Sequence, residues 1–354
     1  MNIPPEGAAL LSLLRASLSA TPAALENLPS PLDWNFLQRL ARHHRLEPLL
    51  SYGLRRLHFD GIPVGLRAEW DERRRTAMAT ALYYQAALRE IAAAFEDRRV
   101  PFILLKGEAL SKALYPHDGL RPYGDIDLLI HPEAYETAKA VLTDLGFRLR
   151  QPAKEAEKRQ LFGEIEFDKE GPILVTVDLH WDTLMASWEP RSLFSEQGTW
   201  ASVDQIRLGN RALPVLKGEA LLLYLCVHFA FHHIFDGLLL LCDLFLVLRR
   251  DAERIDWDSL VATATRCQCR HALYYSLFFV NTLMAALVPS GILDRLRPPI
   301  VIRALMPTDR LLFRDSLAPQ MLERYVKLLL IDTQEGRWRA GRAWLESNKR
   351  FLGR

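Results

Sequence analysis

The chain has 354 residues, 49% of them hydrophobic and 25% charged, with a formal charge of +2 at neutral pH. These values describe an ordinary globular protein, long enough for two domains and a well-buried core. The near-balanced charge argues against a nucleic-acid-coating surface or a strongly acidic partner, and no internal repeat or low-complexity tract is visible.

The N-terminal run MNIPPEGAALLSLLRASLSA lacks a basic leader, and prolines and Glu6 precede its apolar residues, so it reads as an amphipathic helix rather than a signal peptide. Helix is expected from residue 5 to about 98, with RRRTAMATALYYQAALREIAAAFEDRR carrying apolar residues at three- and four-residue spacing. RRVPFILLKG switches to a strand, and GEALSKALY returns to helix. Pro116, Gly119 and Pro122 mark a loop before the strand GDIDLLI. PEAYETAKAVLTDLG predicts a helix stopped by Gly146. EIEFDKEGPILVTVDLHW reads as a hairpin turned at Lys169, Glu170 and Gly171. After a loop rich in Trp and Ser, IRLGNRALPVL is a β-turn-β element, and from Gly218 the pattern is helical to the end.

The segment Ala220 to Leu248 is long enough to span a bilayer, but His228, His232, His233, Asp236 and Asp243 interrupt it. Ionisable groups are costly at mid-membrane depth. Two buried helices broken at Asp236–Gly237 are therefore expected, with no membrane insertion. The four cysteines, Cys226, Cys242, Cys267 and Cys269, have no framework spacing, which favours reduced thiols in a cytoplasmic protein. The late cluster of Arg337, Arg339, Arg342, Lys349, Arg350 and Arg354, interleaved with Trp338, Trp344 and Phe351, is read as an amphipathic terminal helix with snorkelling arginines. The expected fold is α+β and mostly helical. A small mixed-sheet domain (99–216) is flanked by an N-terminal helical region (1–98) and a C-terminal helical region (217–354).

The chemistry concentrates in Phe102 to Ile130, which ends in Asp125 and Asp127. On a strand, residues i and i+2 share a face, so both carboxylates project together while Ile126 anchors the other side. Such a pair repels unless a cation lies between, and hard oxygen ligands suit Mg²⁺ with substrate phosphates. Lys106–Gly107 ends an apolar run where a helix begins, so the lysine and backbone N–H groups are placed to face a phosphate. Arg121 adds a guanidinium, which binds phosphate in bidentate fashion. Asp178, on a later β-rich run, becomes a third carboxylate if its strand pairs beside the first. His180 shares its face and is expected to contact substrate or to orient a carboxylate; the competing reading is a core histidine bonded to backbone. Glu108 and Lys112 form an i,i+4 pair.

The pattern LKG, then R, then GDIDLL, then VDLHW, resembles the bacterial branch of largely uncharacterised nucleotidyltransferases within the polymerase-β-type superfamily, over Tyr84 to Leu248. The resemblance implies that Asp125, Asp127 and Asp178 bind two divalent ions, Mg²⁺ with Mn²⁺ as the alternative, and that Lys106, Gly107, Arg121 and His180 meet the nucleotide. Many members open the helix with Gly-Ser, whose serine binds terminal phosphates; here Glu108 follows Gly107. The resemblance also implies transfer of a nucleoside monophosphate from an NTP to a hydroxyl acceptor (a small molecule, a protein side chain or an RNA end). Two alternatives are a toxin-like enzyme acting on tRNA and a non-catalytic nucleotide-binding scaffold. His228, His232 and Asp243 are expected to form a pocket wall, with a histidine as the buried partner that Asp243 requires. On that reading Asp243→Asn weakens binding more than folding.

Overall fold

The computed structural model describes the chain apart from residues 1–2, 27, 162, 182–196, 287, 309–310, 315–318 and 343–354. Four helices open it: α1 (Pro5–Ser19), α2 (Trp34–His43), α3 (Glu47–Arg56) and α4 (Val64–Asp97). The start of α2 is fixed by Asp33, whose side chain accepts from Asn35 N at 2.9 Å and Phe36 N at 3.0 Å, satisfying donors that the first turn leaves unpaired. The central section runs β1 (Phe102–Leu104), α5 (Glu108–Leu114), β2 (Ile126–Ile130), α6 (Tyr135–Asp144), β3 (Arg148–Leu149), α7 (Glu155–Leu161), β4 (Glu164–Lys169), β5 (Val175–His180), α8 (Gln197–Ala201), β6 (Val203–Leu208) and β7 (Arg211–Leu216). The C-terminal section holds α9 (Gly218–Val227), α10 (Leu238–Asp251), α11 (Trp257–Arg266), α12 (Arg270–Met284), α13 (Ser290–Leu296), α14 (Ile300–Leu305) and α15 (Gln320–Leu330).

The strands form one seven-stranded mixed sheet in the order β3-β4-β5-β2-β1-β7-β6. All five residues of β2 are buried, because the sheet is covered on both faces. Side-chain alternation sorts those faces. Leu104, Ile126, Leu128, Ile130, Val177 and Leu179 join the core made with α4 and α6. Ile103, Leu105 and Leu129 face the opposite core, where N-terminal leucines such as Leu37 and Leu50 pack with α9, α10 and α12. Asp127 and Asp178 alternate with residues of the first set, so they project from the second face. The α4 stripe Ala81, Tyr84, Leu88, Ile91 and Phe95 is buried at helical spacing. From it the Tyr84 hydroxyl reaches Gly124 O at 2.8 Å and Leu174 O at 2.9 Å, tying together the chain segments that lead into β2 and β5.

The fold is α+β and mostly helical, as expected, and the predicted hairpins β4–β5 and β6–β7 are both antiparallel pairs. Two details differ. The strand expected over GDIDLLI begins at Ile126, so Asp125 lies just before it, and the short β3 pairing with β4 is additional. The broken helix pair is α9, continued by a π-helical turn over His228–His232, and α10. No helix among the described residues is long and apolar enough to cross a membrane. The loop rich in Trp and Ser lies outside the described residues over 182–196, as do Trp344, Lys349, Arg350, Phe351 and Arg354 of the terminal cluster. Of the remainder, Arg339 pairs with Glu335 at 3.2 Å and Trp338 is exposed.

Candidate active site

Parallel pairing of β2 with β5 sets Asp127 directly beside Asp178, one inter-strand spacing apart on a shared face. His180 lies two residues on from Asp178 and therefore on the same side. Ligand atoms of Asp127, Asp178 and His180 all lie within 4.8 Å of one another. Lys106 follows β1, whose pairing with β2 brings the lysine ammonium onto Asp127 Oδ1 and to 3.6 Å from Asp125 Oδ2. The chain then turns at Gly107, whose φ of 53° and ψ of −112° place it in a region that side chains resist. A Cβ there would approach Asp125 O to 3.3 Å, so glycine permits both the turn and the close approach. Asp125, Asp127, Asp178, His180 and Lys106 thus meet because two strand pairings and one turn agree.

Electrostatics differentiate the carboxylates. Burial works against the charge on Asp127, but Lys106 and the His180 hydrogen bond outweigh it and hold the carboxyl well below its usual range. The negative charge of Asp127, followed by burial, raises Asp125. Burial, followed by the charge of Asp127, pushes Asp178 up to about 7. His180 loses by burial but is raised overall by its Nε2 bond to Asp127 Oδ1 at 3.0 Å and by Glu164, whose Oε2 is 3.3 Å from Nδ1. His180 thereby orients Asp127. Asp127 Oδ2 and Asp178 Oδ1 are buried with no hydrogen-bond partner among the described residues. Orphaned carboxylate oxygens on two neighbouring strands, with Asp125 close by, are a donor set suited to a hard divalent cation such as Mg²⁺ or Mn²⁺.

The remaining predicted residues divide. Arg121 is buried and gripped by Asp243, with Nε at 2.9 and 3.0 Å from the two carboxylate oxygens and Nη2 at 2.8 Å from Oδ2. The Tyr115 hydroxyl donates to Asp243 Oδ1 at 2.8 Å. The buried partners of Asp243 are thus an arginine and a tyrosine, where a histidine was expected. The reason is register: the loop after α5 returns Arg121 against α10, whereas the histidines lie on the turn after α9. His228 lines a cleft of about 190 Å³ together with Lys106, Gly107, Arg121 and Asp125. His232 stacks on His228 with ring centroids 4.9 Å apart and is exposed. Lys112 lies 3.8 Å from Glu108, as the i,i+4 spacing predicts, and 2.7 Å from Asp118.

Several contributors escaped the sequence reading. Glu164 is opposite His180 in the β4–β5 register, a position recoverable only once that hairpin is aligned. His43, His44 and Arg45, at the end of α2, line the same cleft with His233 and Asp236. No local pattern marks them, because their nearness to Asp125 is purely tertiary. His43, His44 and Asp236 also bring ligand atoms within 4.8 Å of one another. Within that group His43 Nε2 is bonded to Asp236 Oδ1 at 2.9 Å, Arg314 Nη2 donates to Asp236 Oδ2 at 3.1 Å and Leu238 N donates to His44 Nδ1 at 3.4 Å, while His44 Nε2 is buried with no hydrogen-bond partner among the described residues.

A family model described as an uncharacterised nucleotidyltransferase matches residues 30–285, most of the chain. The chain belongs to that nucleotidyltransferase family. No curated protein and no solved structure matches it.

Proposed function

We propose, with that membership as premise, that this is a metal-dependent enzyme of the polymerase-β type. It would transfer a nucleoside monophosphate from an NTP to a hydroxyl acceptor with release of pyrophosphate. The observation that carries the reading is the in-register pair Asp127 and Asp178, each with a buried, unpartnered carboxylate oxygen, next to Asp125. Asp125, Asp127 and Asp178 would hold two divalent ions, Mg²⁺ or Mn²⁺. When bound, such ions neutralise phosphate charge and activate the acceptor hydroxyl. Lys106 keeps Asp127 ionised and positions it beside Asp125, and His180 fixes the orientation of Asp127 from the other side. Gly107 lets the chain pass close to Asp125 and leaves the cleft open next to it. Arg121, neutralised by Asp243, serves as a rigid wall of that cleft rather than as an open charge. The free state of all four cysteines supports a cytoplasmic setting.

The test is to incubate the protein with Mg²⁺ and each α-labelled NTP against tRNA, protein extract and metabolite pools, with Asp127→Asn as the control. Label transfer and pyrophosphate release by the unaltered chain alone are expected. Absence of Mg²⁺-dependent NTP binding in the unaltered protein would overturn the reading, whereas NTP binding without label transfer would favour the nucleotide-binding scaffold of the same fold.

A further inference from the structure

We propose that the turn between α2 and α3 is the clamp for the nucleotide's polyphosphate tail, with Arg45 as its charged element. The inference rests on the nucleotidyltransferase reading and names which part of the substrate the cleft accepts. The cleft begins at Asp125 and Lys106, beside the carboxylates, and has Arg45 and His43 in another wall. At about 190 Å³ it is smaller than the roughly 300–1,000 Å³ of pockets that enclose whole ligands. It therefore accepts part of a nucleotide, and the part adjoining a metal site is the phosphate chain.

The other cations along this wall are committed. Lys106 is held by Asp127 and Asp125, and Arg121 by Asp243; the other acid lining the cleft, Asp236, is already bonded by His43 and Arg314. The Arg45 side chain is exposed, and its guanidinium makes no hydrogen bond or ion pair to a described residue. Its charge is available to an anion in a way that the others are not. His228 and His233 also line the cleft, and burial together with the nearby Lys106 keeps both neutral, with one Nε2–H donating to the other's Nε2 across 3.0 Å. The first residue of α5 is Glu108, a buried acid that accepts from the Tyr123 hydroxyl at 2.5 Å and so adds no positive charge where the helix opens.

The backbone makes the idea separable from folding. α2 ends with Leu46 N bonded to Ala41 O at 2.8 Å, and Arg45 has φ of 55°, the left-handed position that glycine fills most easily. Ala20, Arg99 and Ala285 also adopt positive φ, so the conformation is not itself a sign of function. Its use is that Arg45→Gly removes the guanidinium while relaxing the turn. Calorimetric titration of Mg-NTP, Mg-tripolyphosphate and NMP should be run on the unaltered chain, Arg45→Gly, Arg45→Lys and Asp127→Asn. Arg45→Gly is expected to melt no lower than the unaltered chain. It should bind Mg-NTP and Mg-tripolyphosphate about tenfold more weakly or worse, with NMP binding unchanged and Arg45→Lys intermediate. If the unaltered chain binds Mg-NTP in an Asp127-dependent way and Arg45→Gly binds it equally well, the clamp is overturned and the proposed function stands. Equal weakening of NMP and NTP also overturns the clamp. No Mg-NTP binding by the unaltered chain overturns both.

Discussion

Replacing Asp243 by asparagine is expected to act on folding before it acts on binding. Asp243 is fully buried, its guanidinium partner Arg121 is 4% exposed, and the Tyr115 hydroxyl completes the group. An asparagine keeps the shape but loses the charge, and its amide N–H₂ meets the Arg121 N–H groups donor to donor. Arg121 would then remain charged at a buried position without its counter-ion. Breaking one side of a buried ion pair costs about 3–5 kcal/mol. Unfolding entropy of roughly 2.1 cal/mol/K per residue, over a cooperative unit of this length, converts that to a fall in melting temperature of about 4–7 °C. Differential scanning calorimetry of Asp243→Asn, Arg121→Met and the double variant Arg121→Met/Asp243→Leu reads it directly. The double variant should be less destabilised than the two singles together, because it leaves neither charge unpaired. An Asp243→Asn protein that melts within about 1 °C of the unaltered chain while losing NTP affinity would refute this account. It would restore the sequence-based expectation that Asp243 serves the pocket.

Burial raises Glu108 from 4.5 to about 7, so folding favours its neutral acid. That contribution is complete below 4.5 and is lost as pH rises through about 7. Chemical denaturation from pH 5 to 8 should show Glu108→Gln flattening the decline and gaining about 3 kcal/mol relative to the unaltered chain above pH 7. His180→Ala should weaken Mg²⁺ binding about 10–100-fold, read by competition with a chelator, because Asp127 loses the group that orients it. Millimolar Mg²⁺ should raise the melting temperature of the unaltered chain by mass action, and Asp178→Asn should abolish that rise; an equal rise in both would place the ion elsewhere.

The sequence by itself determined the mostly helical α+β class, the two hairpins, and the face that Asp178 and His180 share, while the strand pairing that sets Asp127 beside Asp178 was settled by the fold. The first three follow from short-range rules, namely period-two alternation, helical spacing and turn residues, and they hold whatever the chain packs against. It did not determine the partner of Asp243 or the place of Arg121. Those depend on a loop between α5 and β2 returning to α10, a contact 122 residues apart. Nor could it place Glu164 opposite His180 before strand register was known, or bring His43 and Arg45 from the first helices to Asp125. Only the packing of the N-terminal helices and the helices after Gly218 against one face of the sheet decided that. A cleft is a property of surfaces that meet, and the residues on each surface are chosen by the elements behind them, which no local pattern encodes.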